Sequence, residues 1–241
     1  MDALIFTAMS GANRALKAQQ VHANNLANSE TGGFRADFGV ARSQAVAGSG
    51  FDARHVTRLE PSAVNSRPGA IHATGRELDV AIEGEGFLAV LDGGQEVYTR
   101  AGSLDVGADG TLSVQGRPVL GDGGAITLPP FSQLAIAADG TLSVQAQGET
   151  LMQPVAKLKL VRPVPEELSK NGNGFIISRA GGTLPADDTV RVKGGHLERS
   201  NVSAVEEMIA TMALGRDFEL QMKMFTTASE MADAGNRLVR G

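Results

Sequence analysis

The residues with chemistry to offer are few, and their spacing does not bring them together. The four histidines, His22, His55, His72 and His196, are scattered along the chain. None stands at metal-ligand spacing from another, and none neighbours a serine or aspartate in an arrangement that would activate a nucleophile. The glycine clusters Gly84-Glu85-Gly86-Phe87 and Gly121-Asp122-Gly123-Gly124 have backbone suited to cradling phosphate. Neither ends in the Lys-Ser/Thr pair of a phosphate-binding loop, so both read as turns. Glu206-Glu207 reads as the acidic first turn of a helix, where carboxylates favour the dipole, rather than as a general acid and base. The Asp-Gly turns lack the alternating oxygen ligands of a calcium loop. There is no cysteine, which removes Zn–thiolate sites, redox motifs and thiol nucleophiles. The residues therefore predict no enzyme, no cofactor and no metal.

One polar cluster is left over. In ANNLANSETGGF, beginning at Ala23, Asn24, Asn25 and Asn28 crowd the end of an amphipathic run. Asn24 and Asn28 are four apart and share one helix face. Amides there either cap local backbone or bond a neighbouring chain. Three so close together point to an interface.

The elements that carry this cluster lie at the two ends of the chain. Ile5, Met9, Ala12, Leu16, Gln19, Ala23 and Leu26 alternate spacings of four and three, a heptad seam with one polar member. This predicts a helix over 3–28, about 39 Å long, ended by Thr31-Gly32-Gly33. Ser203 to Glu206 matches a capping box. Val205, Met208, Met212, Gly215, Phe218, Met222 and Phe225 then follow at helical spacing, predicting a helix over 203–238 of roughly 54 Å. Helices of this length need packing partners. Either the two form an intramolecular hairpin, or each seam also takes a neighbouring molecule.

Between them the period is two. Leu78, Val80 and Ile82 fall on one face, and FLAVLDGGQEVYTR reads strand, Asp92-Gly93-Gly94 turn, strand. The octapeptide ADGTLSVQ occurs at 108–115 and again at 138–145, each time after an apolar strand. Asp-Gly predicts a type I′ hairpin turn in both copies. KLKLV at 157–161 is a strand, NGNGF at 171–175 a turn, and AVAGSGFDARH at 45–55 a long connection. The fold class is α+β, with long N- and C-terminal helices and a β-rich middle. The predicted organisation is a helical domain of 1–33 and 198–241, a connecting β and loop region of 34–77 and 165–197, and a β-rich domain of 78–164.

Bulk properties agree with a folded chain. Its 241 residues are 42% hydrophobic and 20% charged, and 30 are glycine, which suits many tight turns between short strands. A formal net charge of −5 with no basic run argues against a nucleic-acid partner. The start, MDALIFTAMSGANRALKAQQ, lacks the basic and apolar regions of a cleavable signal peptide. No run approaches the roughly 20 apolar residues that insert in a membrane. On the residues alone, a secreted β-domain binding protein and an enzyme with an unfamiliar site stand as alternatives to an assembly subunit.

Three stretches, in order, resemble bacterial flagellar rod and hook proteins. ANNLANSETGGFRAD resembles the signature near their start. LDVAIEGEGFLAV with YTRAGSLDVGADGTLSVQGRPVLG resembles their central β-region, and LERSNVSAVEEMIATMALGRDFELQMKM their C-terminal helix. The turn SETGGF departs from the signature by its second glycine and its glutamate. Within the family, MDALIFTAMSGA resembles the proximal rod subunit. The distal rod subunit is the alternative, and 241 residues leave no room for the extra outer domain of hook proteins.

The resemblance implies that the long N- and C-terminal helices form a coiled-coil layer, the inner domain of 1–33 and 198–241, with the β-rich domain of 78–164 as the outer one. It implies a structural subunit that assembles helically into the rod, the torque-transmitting shaft around the export channel in the periplasm. It implies as partners copies of itself, other flagellar rod proteins and, in transit, the flagellar type III export apparatus. The interface it implies is carried by Ile5, Met9, Ala12, Leu16, Gln19, Asn24, Asn25, Leu26 and Asn28 at one end. At the other end it is carried by Val205, Met208, Met212, Phe218, Met222 and Phe225.

Overall fold

In the computed structural model, which describes residues 2–45, 55–164 and 167–240, two helices bracket a set of short antiparallel strands. Helix α1 spans Asp2–Ala27 and helix α2 spans Ala204–Arg240. The chain forms two compact units. One is made of Met1–Ala27, Asp37–Ser62 and Ser203–Gly241, the other of Asn28–Ala36 and Ala63–Val202. The architecture is α+β, as the alternation of helical and period-two patterns predicts.

In the helical unit α1 and α2 run antiparallel. Arg14 pairs with Asp217 at 2.8 Å and His22 with Glu207 at 2.5 Å, so moving up one helix moves down the other. Their contact is built from small residues. Ala8, Ala12 and Ala15 are buried on α1 and Ala228 on α2. A methyl group on Gly11 would fall 2.7 Å from the Gln221 side chain. Ser203 accepts the amide of Glu207 on its carbonyl at 3.0 Å and lies 3.5 Å by its hydroxyl from the amide of Glu206, which starts α2. The strands Asp37–Ala45 and His55–Val64 pair with each other. The connection between them, read from AVAGSGFDARH, falls almost entirely at 46–54, outside the described residues.

The β-rich unit holds a five-stranded sheet and several smaller ones. Phe87–Asp92 and Gln95–Thr99 form the hairpin read from the sequence, with Gly93 and Gly94 at its turn. Val80–Glu83 pairs with Arg191–Gly194, and Ile71–Ala73 with His196–Glu198. The main core gathers Val80, Ile82, Leu88, Leu104, Leu112, Leu142 and Leu158, all essentially buried. Each such leucine gains about 1.5–3 kcal/mol over exposure.

The twin octapeptides fold alike. Leu104–Val106 pairs with Leu112–Val114, and Phe131–Ile136 with Thr141–Ala146. The expected type I′ turn is not what joins them. That turn needs φ > 0 at both central residues, and here only Gly110 (φ 83°) and Gly140 (φ 85°) adopt it, not Asp109 or Asp139. The aspartates instead accept from the threonine two residues on. Thr111 donates its amide to Asp109 at 3.1 Å and its hydroxyl at 2.7 Å, and Thr141 does the same to Asp139 at 3.1 and 2.9 Å. These bonds hold both carboxyls below the usual carboxylate range.

Candidate assembly surface and the exit from the first helix

Because alanines and glycine line the contact between α1 and α2, the large apolar side chains are left outside it. Phe6, Met9 and Leu16 on α1 are exposed, and so are Val205, Met208, Ile209, Met212, Leu220, Met222, Met224 and Met231 on α2. Met212, with 67% of its surface open, represents the group. Large apolar side chains exposed in this number on two helices suit a surface that something covers.

The predicted interface residues thus divide. Ala12 lies in the contact between the two helices, while Met9, Leu16, Val205, Met208, Met212 and Met222 lie open. Ile5, Gln19, Leu26, Phe218 and Phe225 are half-buried. The observed seam of α1 steps through Ala8, Ala12 and Ala15, one residue away from the apolar stripe that the spacing emphasised at Met9 and Leu16.

The asparagines also divide. Asn25 is buried and turned inward. Its Oδ1 accepts the backbone amide of Asp37 at 2.8 Å, and its Nδ2 donates to the Asp37 carbonyl at 3.0 Å and to Glu207 Oε1 at 3.3 Å. Asn24 is exposed and donates to Asp37 Oδ2 at 3.1 Å. Asn28 lies one residue past the end of α1, half-buried, and accepts the Thr31 hydroxyl at 3.1 Å.

From Asn28 onward the chain runs in the β-rich unit and passes through Gly33, whose φ is 71°. A methyl group there would lie 2.2 Å from the backbone of Arg100. The Gly33 amide donates to the Glu198 carbonyl at 2.8 Å. The Glu198 side chain then lies between two buried guanidinium groups, 2.6 Å from Arg35 Nη2 and 2.9 Å from Arg100 Nη1. It also accepts the Gly69 amide at 2.6 Å. Arg100 donates to the carbonyls of Ile82 at 3.0 Å and of Gly84, and rests on the Phe87 ring. Burial pulls the Arg100 guanidinium down to about 10, partly offset by Glu198, so it stays protonated at neutral pH. Nearby, Asn201 accepts the Ala36 amide at 2.7 Å and donates to the carbonyls of Asn65 and Arg67 at 3.1 and 2.9 Å. Sequence reasoning did not find this knot, because its members are far apart in the chain and each alone reads as an ordinary surface charge.

Among the described residues no cluster of three or more histidine, aspartate or glutamate side chains could hold a metal ion, and no helix is long and apolar enough to cross a membrane.

Comparison with known proteins gives matches along the chain. Residues 5–35 match the family described as flagella basal body rod protein. Residues 81–144 match the flagellar hook protein FlgE/F/G D1 domain, and residues 193–238 the C-terminal region of the flagellar basal body rod FlgEFG proteins. Over 248 residues the chain is 40% identical to the flagellar basal-body rod protein FlgF of Salmonella typhimurium, covering 99% of each. It is 39% identical to FlgF of Escherichia coli, with the same coverage. With the flagellar basal-body rod protein FlgG of Bacillus subtilis it shares 31% identity, over 94% of this chain and 95% of the relative.

Proposed function

Because this chain belongs to the flagellar basal-body rod proteins and is a structural subunit of that rod, we propose that it enters the proximal rod and meets its neighbours through the outer faces of α1 and α2. The observation that carries the reading is the exposure of large apolar side chains on both helices. In the free chain these surfaces cost solubility. Covered by neighbouring rod subunits they supply the burial that α1 and α2 do not give each other.

In this reading the helices of successive subunits form a coiled-coil inner layer and the β-rich middle lies outside it. Residues 1–33 and 198–241 belong to the inner layer, 34–77 and 165–197 connect, and 78–164 form the outer part. The assembly is helical, surrounds the export channel and transmits torque across the periplasm. The subunit reaches it through the flagellar type III export apparatus. The proximal place is supported by the likeness to FlgF proteins over nearly the whole chain. A distal place, as the likeness to FlgG would suggest, is the second reading.

The test is Met212→Asp in the full chain. In the free chain the new carboxylate stays in water, since Met212 is open, and melting should not move. In the rod it would be dry, at a cost of several kcal/mol. Loss of rod incorporation and swimming is expected at unchanged melting. Normal incorporation would remove α2's outer face from the interface.

A further inference from the structure

We infer that Arg35, Glu198 and Arg100 form a latch: inside the β-rich unit it holds together the passage that follows α1 and the passage that precedes α2, and rod assembly depends on it. The inference rests on the proposed function for its last clause only.

The three residues come from three distant parts of the chain, one from each segment matched to the family models. Arg35 lies eight residues after the end of α1 and Glu198 six before the start of α2. Around them the two passages are stitched to each other. The Gly33 amide reaches the Glu198 carbonyl at 2.8 Å, the Asn201 amide the Phe34 carbonyl at 3.3 Å, and the Ala36 amide the Asn201 side chain at 2.7 Å. Lys170 adds a bond of 2.6 Å to the Arg35 carbonyl and places its ammonium over the Phe34 ring.

The charge balance of the knot argues against a purely stabilising role. Two buried guanidinium groups face one buried carboxylate. Arg35 Nε and Nη1 find no acceptor among the described residues. The contact of Arg35 Nη2 with Glu198 is short without being aligned as a hydrogen bond. A buried ion pair is often no more stable than an apolar cluster of the same volume, and unpaired N–H groups make it less so. What a carboxylate between two guanidinium forks supplies instead is position. An apolar cluster tolerates sliding by a fraction of a side chain, whereas this arrangement fits one register of the two passages. Those passages lead into both helices, so their register fixes, within the β-rich unit, where the chain leaves for α1 and for α2.

Arg35→Met tests this in the full chain. It removes the orphaned N–H groups of Arg35, with Arg100 Nε alone left without an acceptor among the described residues, and leaves one carboxylate with one guanidinium, so the β-rich unit should keep its melting temperature as read by Tyr98, the single tyrosine. Amide hydrogen exchange at Gly33 and Ala36 should rise about tenfold, and rod incorporation should fall several-fold. Glu198→Gln, which leaves both guanidinium groups without their counter-charge, should speed exchange at the same two amides more than Arg35→Met does. Unchanged exchange at Gly33 and Ala36 in both variants would overturn the latch. So would wild-type incorporation of an Arg35→Met chain whose exchange is faster, or loss of the Tyr98 transition in that variant, which would make Arg35 a core residue. If the unaltered chain itself does not enter the rod, the proposed function fails, and the exchange data alone decide whether the two passages are latched.

Discussion

Asn25 grips Asp37 by both ends of its amide, taking the backbone N–H at 2.8 Å and giving to the backbone carbonyl at 3.0 Å. The residue that begins the first strand is thereby held against the last turn of α1. The same Nδ2 touches Glu207, whose other oxygen pairs with His22, so the bond pattern extends to the first turn of α2. Asn25→Ala leaves half-buried backbone groups of Asp37 and one carboxylate oxygen with fewer partners, at a cost of about 1–3 kcal/mol. Asn25→Asp should cost more, because a carboxylate cannot donate to the Asp37 carbonyl and faces Glu207. Chemical denaturation followed by far-ultraviolet circular dichroism checks the order; equal stability of the three chains would refute it.

The two glycines at the exit should behave differently. Gly33 has a positive φ, and any side chain there meets the Arg100 backbone. Backbone cannot move aside as the tip of a flexible side chain can. Gly33→Ala should therefore destabilise the β-rich unit by several kcal/mol, from strain and displacement together. At Gly32 the nearest atom to a new methyl group is the Glu198 carbonyl oxygen, 3.5 Å away, an ordinary contact. Gly32→Ala should change melting by less than about 1 kcal/mol. The extra glycine of SETGGF is then a tolerated departure at Gly32, with the conformational demand at Gly33 alone.

The fold was legible where local chemistry and tertiary packing ask for the same thing. The DGG hairpin, the strand at Val80 and Ile82 and both helices follow from periodicity and turn residues. The seam of α1 was only partly legible. A heptad count weights large apolar residues such as Met9 and Leu16, whereas two helices in close contact select small ones, here Ala8, Ala12 and Ala15. The hairpin turns were legible in place but not in type: Asp109 and Asp139 turned out to accept from Thr111 and Thr141, which an Asp-Gly rule ignores. Arg35, Arg100 and Glu198 were not legible at all, since nothing local distinguishes a buried charge from a solvated one.

Alkaline pH should reach the β-rich unit through Tyr98. Burial, with Glu96 adding to it and the Leu184 amide opposing, pushes its hydroxyl up to about 12 from the ordinary 10. The folded state thus keeps its proton where the unfolded state has lost it. The stabilisation this gives is full below about pH 10 and is lost as pH rises toward about 12. Tyrosinate absorbance, clean because the chain has one tyrosine and no tryptophan, should appear late and together with unfolding. Ionisation near the ordinary value in the folded chain would show that the Tyr98 hydroxyl is open to solvent.

Asn24 and Asn28 remain the amides suited to a neighbouring subunit. Asn24 is exposed, and its bond to Asp37 Oδ2 at 3.1 Å joins two surface side chains, which contributes little to the free chain. Asn28 is half-buried just beyond the last residue of α1, where helix carbonyls lack intrahelical partners. An amide at such a place can bond backbone of its own chain and of another at once. Replacing both, Asn24→Ala with Asn28→Ala, should lower the stability of the free chain by about 1 kcal/mol or less. Export should be unaffected. Incorporation should fall further than that small loss predicts, because the defect recurs at every copy in a repeating assembly. Secretion, melting temperature and rod incorporation measured on the same double variant separate the cases. A sharp fall in melting would make the amides internal caps, a loss of secretion alone would tie them to export, and only weakened incorporation with the other two intact supports an interface.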